Sequence, residues 1–284
     1  MFEKFSRSWA LIKASASVLS KDKELLVFPA VSAIAGLMVM ASFLGPLIWW
    51  SVGHPEAFSD NEPLSPLWYV YACAFYFVQY FVIFFFNTAL VGAASIRLEG
   101  GDPTVSDGLR IAWSKVRIIL GYAAIAATVG MILRVIEQRA GWIGRWIVGL
   151  LGAAWTVVTF MVVPVLVHKD IGPIDAIKES ASLLKQTWGE NLIGQGGVGL
   201  VFAFFYIALW LACGALFTLS VGTQSVGLMV TIGVIGVVGT MGIALIQTAL
   251  QGIYSAALYR YAVGHENSGE FSGPLLQNAF AHKK

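Results

Sequence analysis

The 284-residue chain is 57% apolar and only 12% charged, with 18 Lys and Arg against 16 Asp and Glu and a mean hydropathy of +0.75. A soluble surface needs about 25% charged residues, a disordered chain needs more charge still, and collagen or disulfide scaffolds need Gly-X-Y periodicity or many cysteines, where this chain has two. A net charge of +2 is too small for a nucleic-acid partner, so the composition points to an all-α polytopic membrane protein.

The first expected element is a basic amphipathic helix. Phe2, Phe5, Trp9, Ile12, Ala16 and Leu19 recur at helical spacing, and Lys4, Arg7 and Lys13 occupy the other faces. That pattern suits a helix lying in a headgroup layer. Leu25 to Trp50 follows with no charge in 26 residues, enough to cross a hydrocarbon core about 30 Å thick. The charged leader ahead of it, 24 residues long, argues against a cleaved signal. Leu67 to Ile96 is uncharged over 30 residues and makes the second span. Thr104-Val-Ser-Asp107, just after Pro103, reads as a capping box opening a second amphipathic helix, with Val105, Leu109, Ala112, Val116 and Ile119 as its stripe. Ile118 to Leu133, continuing past Arg134 to Ile136, is the third span, and Trp146 to Val167 the fourth. Pro173 can take the first position of a third amphipathic helix, with Asp175 complementing its dipole and Ile174, Ile177, Ala181 and Leu184 as the stripe. Asn191 to Tyr259 then runs 69 residues without a charge. One helix of that length would reach about 100 Å, so the chain must turn, and Ser220-Val-Gly-Thr-Gln-Ser225 is the place. Spans near 192–219 and 226–259 bring the total to six. Runs such as Phe81 to Phe86 are apolar on both parities, unlike the alternating strands of a barrel.

Lys and Arg near span ends set orientation. Fifteen fall on the side of the termini and only Arg134, Arg139 and Arg145 on the other, where the first loop carries Glu56, Asp60 and Glu62. Both termini are therefore expected in the cytoplasm, with the protein multi-pass in a bacterial inner membrane. The second and third amphipathic segments align at an offset of 68: Asp107-Gly-Leu-Arg110 meets Asp175-Ala-Ile-Lys178, and Ser114 meets Ser182. Ser15-Ala-Ser-Val-Leu19 echoes Ser180-Ala-Ser-Leu-Leu184, although a register beginning at Ser8 fits as well. The expected architecture is a six-span helix bundle with three cytoplasmic interfacial helices in three repeats, each an interfacial helix followed by a two-span hairpin. The repeat boundaries fall near 2–96, 97–167 and 168–260, within a single membrane domain over 1–264, and a polar cytoplasmic tail covers 265–284.

Candidate sites are few. Arg134 and Glu137 are the ionisable residues inside a span, and their distance along it places them near the far interface. Gln79, Asn87, Gln195, Gln247 and Gln251 are intramembrane amides, which need partners across helices. Phe5, Trp9, Ile12, Leu109, Trp113, Ile177, Leu184 and Trp188 are the candidate membrane contacts of the interfacial helices. His54, His168, His265 and His282 lack zinc-ligand spacing, and Cys73 and Cys213 lie in apolar runs. Gly194, Gly196 and Gly199 match a dinucleotide pattern in a membrane helix, where close packing is the better reading; Gly233, Gly236, Gly239 and Gly242 invite the same reading. No cofactor, metal or catalytic set is expected.

The segment from Pro173 to Lys185, followed by Trp188 and running straight into a span, resembles a signature of uncharacterised bacterial multi-span membrane proteins classed as a domain of unknown function. The repeats are also similar to the membrane domain of some bacterial glycerophosphodiester phosphodiesterases. The resemblance implies a cytoplasmic-membrane protein and no activity, because the hydrolytic domain of those enzymes is a separate unit. The leading functional expectation is a non-catalytic scaffold or accessory subunit that contacts the bilayer and a membrane-protein partner, lipid or second copy. A transporter or channel for a small solute or lipid is the alternative.

Overall fold

The structure is a computed structural model. It describes the backbone of residues 2–53, 66–188, 193–222, 225–264 and 271, and the side chains of 9–53, 67–185, 199, 201–222, 225–264 and 271. Among the described residues the regular structure is helical and contains no strand. In chain order the helices are α1 (Phe2–Lys21), a short 3-10 turn (Lys23–Leu26), α2 (Val27–Gly53), α3 (Pro66–Leu98), α4 (Val105–Ser114), α5 (Val116–Arg139), α6 (Trp142–Thr159), α7 (Val162–His168), α8 (Pro173–Trp188), α9 (Ile193–Gly222) and α10 (Val226–Ala262). Six stretches are long and apolar enough to cross a membrane, in the places expected: Lys23–Gly53, Leu67–Leu98, Val116–Arg139, Trp142–His168, Val201–Gly222 and Val226–Ala262. The protein is a multi-span membrane protein.

Local chemistry sets the helix ends. Gly100, at φ +90, and Gly101, which donates to the Ile96 carbonyl at 3.0 Å, stop α3 in the manner of a glycine cap. The capping box forms as read: Thr104 Oγ1 accepts from the Asp107 amide at 3.2 Å, and Asp107 Oδ2 accepts from the Thr104 amide at 3.1 Å. Ser225 caps α10 by accepting from the Leu228 amide, at the end of the turn the polar stretch foretold.

The chain forms two compact units. One comprises Met1–Leu26, Ala94–Asp102 and Lys185–Lys284; the other comprises Val27–Ala93 and Pro103–Leu184. Within the second, α2 and α3 make an aromatic hairpin. Phe43 lies 5.3 Å from Tyr71 and 5.5 Å from Phe75, and Trp50 lies 5.6 Å from Trp68. Tyr76, Tyr80 and Phe84 continue the ladder along α3 to Tyr122 of α5, 4.4 Å from Phe84. In the first unit, α9 and α10 form a hairpin on which α1 packs.

Within each unit burial is heaviest toward the span ends beside the basic segments. In the second unit Ala89–Val91 and Met161–Val163 are buried with Ala112 of α4 and Ala176 of α8, and in the first Ala256–Leu258 are buried with Leu11 and Val18 of α1. Helix length explains this. The 37 residues of α10 would measure about 55 Å at 1.5 Å each, well beyond a hydrocarbon core of about 30 Å. The excess stands outside the lipid, where water supplies a hydrophobic driving force that is missing between helices in hydrocarbon.

Candidate functional site

The intramembrane amides separate into paired and unpaired positions. In the second unit, Gln79 of α3 lies against Gly36 of α2, its Nε2 only 2.9 Å from where a Cβ on Gly36 would stand. Its Oε1 is buried and has no hydrogen-bond partner, a loss of about 1–3 kcal/mol for a desolvated acceptor. Asn87, further along α3, is half-buried. In the first unit, the Tyr206 hydroxyl of α9 donates to Gln247 Oε1 of α10 at 3.0 Å, an interhelical bond of the kind amides in lipid require. Gln251, one turn on, is exposed. Arg134 and Glu137 are both exposed near the C-terminus of α5, and no ion pair joins them. The Gln195 side chain lies outside the described residues.

Each of α1, α4 and α8 packs on spans of its own unit, with small side chains at the tightest contacts of α4 and α8. For α4, a Cβ on Gly108 would fall 2.5 Å from Phe28 Cζ and 2.7 Å from the Ala89 carbonyl oxygen, so α4 lies directly on α2 and α3. Ile111 fills the space over Gly92, and Trp113 meets Phe85 edge-on at 6.0 Å. For α8, Ala176 and Ser180 are fully buried. Pro173 lies against Gly121 of α5, and the Ser180 hydroxyl reaches the α6–α7 junction. For α1, Leu11, Ala14, Ser15 and Val18 are buried, on a helix that packs against α9 and α10.

Two of the expected membrane contacts need correction. Ile12 and Leu184 are 8% and 6% exposed, so they face protein and not lipid. The buried faces of α1 and α8 mix small residues (Ala14, Ser15, Ala176, Ser180) with large apolar ones (Leu11, Val18, Leu19, Leu183), and Ile12 and Leu184 belong to those faces. Trp9 at 48%, Trp113 at 69% and Ile174 at 60% remain exposed, and Leu109 and Ile177 are half-buried. The side chains of Phe5 and Trp188 lie outside the described residues. Gly236 and Gly239 lie against Trp210, Cys213 and Leu209, while Gly233 and Gly242 face open space, as a three-residue period spiralling around a helix of 3.6 residues per turn requires. Gly199 also faces open space, and the surroundings of Gly194 and Gly196 lie outside the described residues.

In the first unit, Arg97 pairs with Asp102 at 3.3 Å, and Arg260 with Glu99. Asp22, beside the 3-10 turn, is 6% exposed, and its Oδ2 has no partner. Burial pushes its carboxyl above the ordinary value, Arg97 pulls it back, and Asp102 and Glu24 push it further up. In the second unit, Lys115 pairs with Asp170, and Lys169 with Glu179 at 2.6 Å. Asp107 is held below its ordinary value by its two bonds from Thr104. Among the described residues no group of three or more His, Cys, Asp and Glu could hold a metal ion.

Two of these buried span ends also match in sequence. Asn87-Thr-Ala-Leu-Val-Gly92, with Ser95, matches Gln247-Thr-Ala-Leu-Gln-Gly252, with Ser255, at an offset of 160. Both stretches are the buried ends of long spans, with Ala89 and Ala249 at 0% exposure.

The family described as "Family of unknown function (DUF6159)" matches residues 67–270. The comparison with curated proteins returns no match. The chain belongs to this family of unknown function.

Proposed function

We propose that this member of the family is a non-catalytic scaffold or accessory subunit of the bacterial inner membrane, with both termini in the cytoplasm, whose α1, α4 and α8 helices hold anionic lipid headgroups. One observation carries the reading. These helices bury one face against protein, while large apolar side chains remain exposed on the others: Trp9, Trp113 and Ile174. Arg110 stands exposed on α4, three residues from Trp113, and Lys178 on α8, four residues from Ile174. An aromatic or aliphatic side chain beside a base is the pairing that suits a headgroup layer. The excess of Lys and Arg on that side supports the cytoplasmic orientation.

The test is native mass spectrometry of the full chain released from mild detergent. Anionic phospholipid should stay bound in preference to zwitterionic lipid, and Trp113→Ala with Arg110→Ala should cut that retention severalfold. Equal retention of both lipid classes, unchanged by the double variant, would sink the reading.

Transport of a small solute is the second reading. It is favoured by the unpaired buried oxygen of Gln79, an acceptor for a passing donor. Solute flux in proteoliposomes that is abolished by Gln79→Leu would support it over the scaffold.

A further inference from the structure

The fourth span is broken, and the break is filled by a side chain from α8. Helix α6 ends at Thr159 and α7 starts at Val162. The cause is Pro164. It has no N–H to offer the carbonyl four residues earlier, and its ring crowds that position. At the break, Phe160 donates to Val157 at 3.2 Å, one residue tighter than an α-helix, and Met161 sits at φ −93, ψ 4. Its amide therefore turns outward from the ladder.

Ser180 meets it. The Met161 amide donates to Ser180 Oγ at 3.1 Å, and the Ser180 hydroxyl donates to the Val158 carbonyl at 2.6 Å. One hydroxyl thus serves as both acceptor and donor across the gap, at a site where Met161 and Ser180 are each fully buried. Irregular backbone is tolerated where protein satisfies its polar groups, and here α8 does so. The arrangement is specific to this span. At the aligned position of α4 stands Ala112, also fully buried, and α3, on which α4 sits, runs unbroken from Pro66 to Leu98. The hydroxyl is present where the span is interrupted and absent where the span is continuous.

We infer that α8 and the α6–α7 break form one conformational joint, in which Ser180 locks the bend of the fourth span and displacement of α8 from the protein releases it. Two further ties hold α8 at this corner: the Lys169–Glu179 ion pair and the contact of Pro173 on Gly121. Whatever pulls on α8 from the aqueous side then acts on the span directly, through two hydrogen bonds.

The experiment is amide hydrogen exchange, resolved at Met161, on the full chain in lipid nanodiscs. Ser180→Ala should speed exchange at Met161 about tenfold, the loss expected for one buried hydrogen bond. In a Pro164→Ala background, where the span can close into a continuous helix, the same replacement should change exchange less than twofold. Should Ser180→Ala fail to fold, Glu179→Gln loosens α8 without touching the joint, and it should raise Met161 exchange about two- to fivefold. Unchanged exchange in Ser180→Ala, an equal effect with and without Pro164, or unchanged exchange in Glu179→Gln as the only folded variant would each overturn the inference.

Discussion

At the scale of single residues, the informative positions are those where the ordinary preference and the local contact disagree. Gly108 lies inside α4, where alanine would normally be favoured by about 0.5–1 kcal/mol. The added Cβ would stand 2.7 Å from the Ala89 carbonyl oxygen, a backbone atom that cannot swing aside. Overpacking of this kind costs about 1–3 kcal/mol and outweighs the helical gain. Gly108→Ala should therefore lower the thermal midpoint, whereas Gly233→Ala, facing open space, should leave it unchanged or raise it. Equal effects at the two sites would refute the packing account. Asp22 poses a second conflict. The folded chain holds the Asp22 proton more tightly than the unfolded chain does, because burial raises its value above 3.8. Its contribution thus favours folding at low pH and is lost as pH rises from the ordinary value through the raised one. Near neutral pH the ionised side chain is a liability, so Asp22→Asn should raise the midpoint there and flatten its decline as pH rises above the ordinary carboxylate value. A lower midpoint at neutral pH would show that the Arg97 attraction wins over burial.

At the scale of elements, α1 shows what the sequence made legible and what it hid. Its helical period, its ends and its basic flanks can all be read from spacing. The partner of its apolar face cannot, because Leu11, Ala14, Ser15 and Val18 would look the same against lipid or against protein. In the structure α1 packs on α9 and α10, 170 residues and more along the chain, instead of lying free in the headgroup layer. Likewise α4 sits on α2 and α3, and α8 on α5 to α7, so each of these two helices docks on the hairpin that precedes it in the chain, a contact that chain order alone does not specify. Hydropathy located the six spans because lipid imposes a length and an apolar composition on each one separately. It was silent on docking, which depends on small residues such as Gly108, Ala176 and Ser180, whose apolar surface is slight. The variants that separate these readings are Trp9→Asp and Val18→Asp. Val18 is 4% exposed, so a carboxylate there is buried without a partner and should detach α1, making Lys13 and Lys21 open to trypsin. Trp9 is half-exposed, and Trp9→Asp should leave both lysines protected. Cleavage in the Trp9 variant and protection in the Val18 variant would reverse the assignment and return α1 to the headgroup layer.

At the scale of the whole molecule, two facts of chain chemistry bear on orientation. With six spans alternating in direction, Lys and Arg count fifteen to three between the two sets of span ends, and within each unit burial is heaviest toward span ends beside the basic segments. A protein whose packed cores stand on the basic side should present them to the compartment where basic loops are retained. The loop between the first two spans carries Glu56, Asp60 and Glu62 and no base, and belongs on the opposite face. Single cysteines test this in a background with Cys73→Ala and Cys213→Ala. Asp60→Cys should react with a membrane-impermeant maleimide on intact cells, and His282→Cys only after the membrane is opened. Reversal of the two would place the cores and α1, α4 and α8 outside the cell, leaving the lipid reading without its anionic leaflet. Labelling of both sites on intact cells would require an odd number of crossings and would remove one of the six spans. Adding Lys in place of Asp60 and Glu62 should then begin to mix the orientations, because two new bases would oppose the bias.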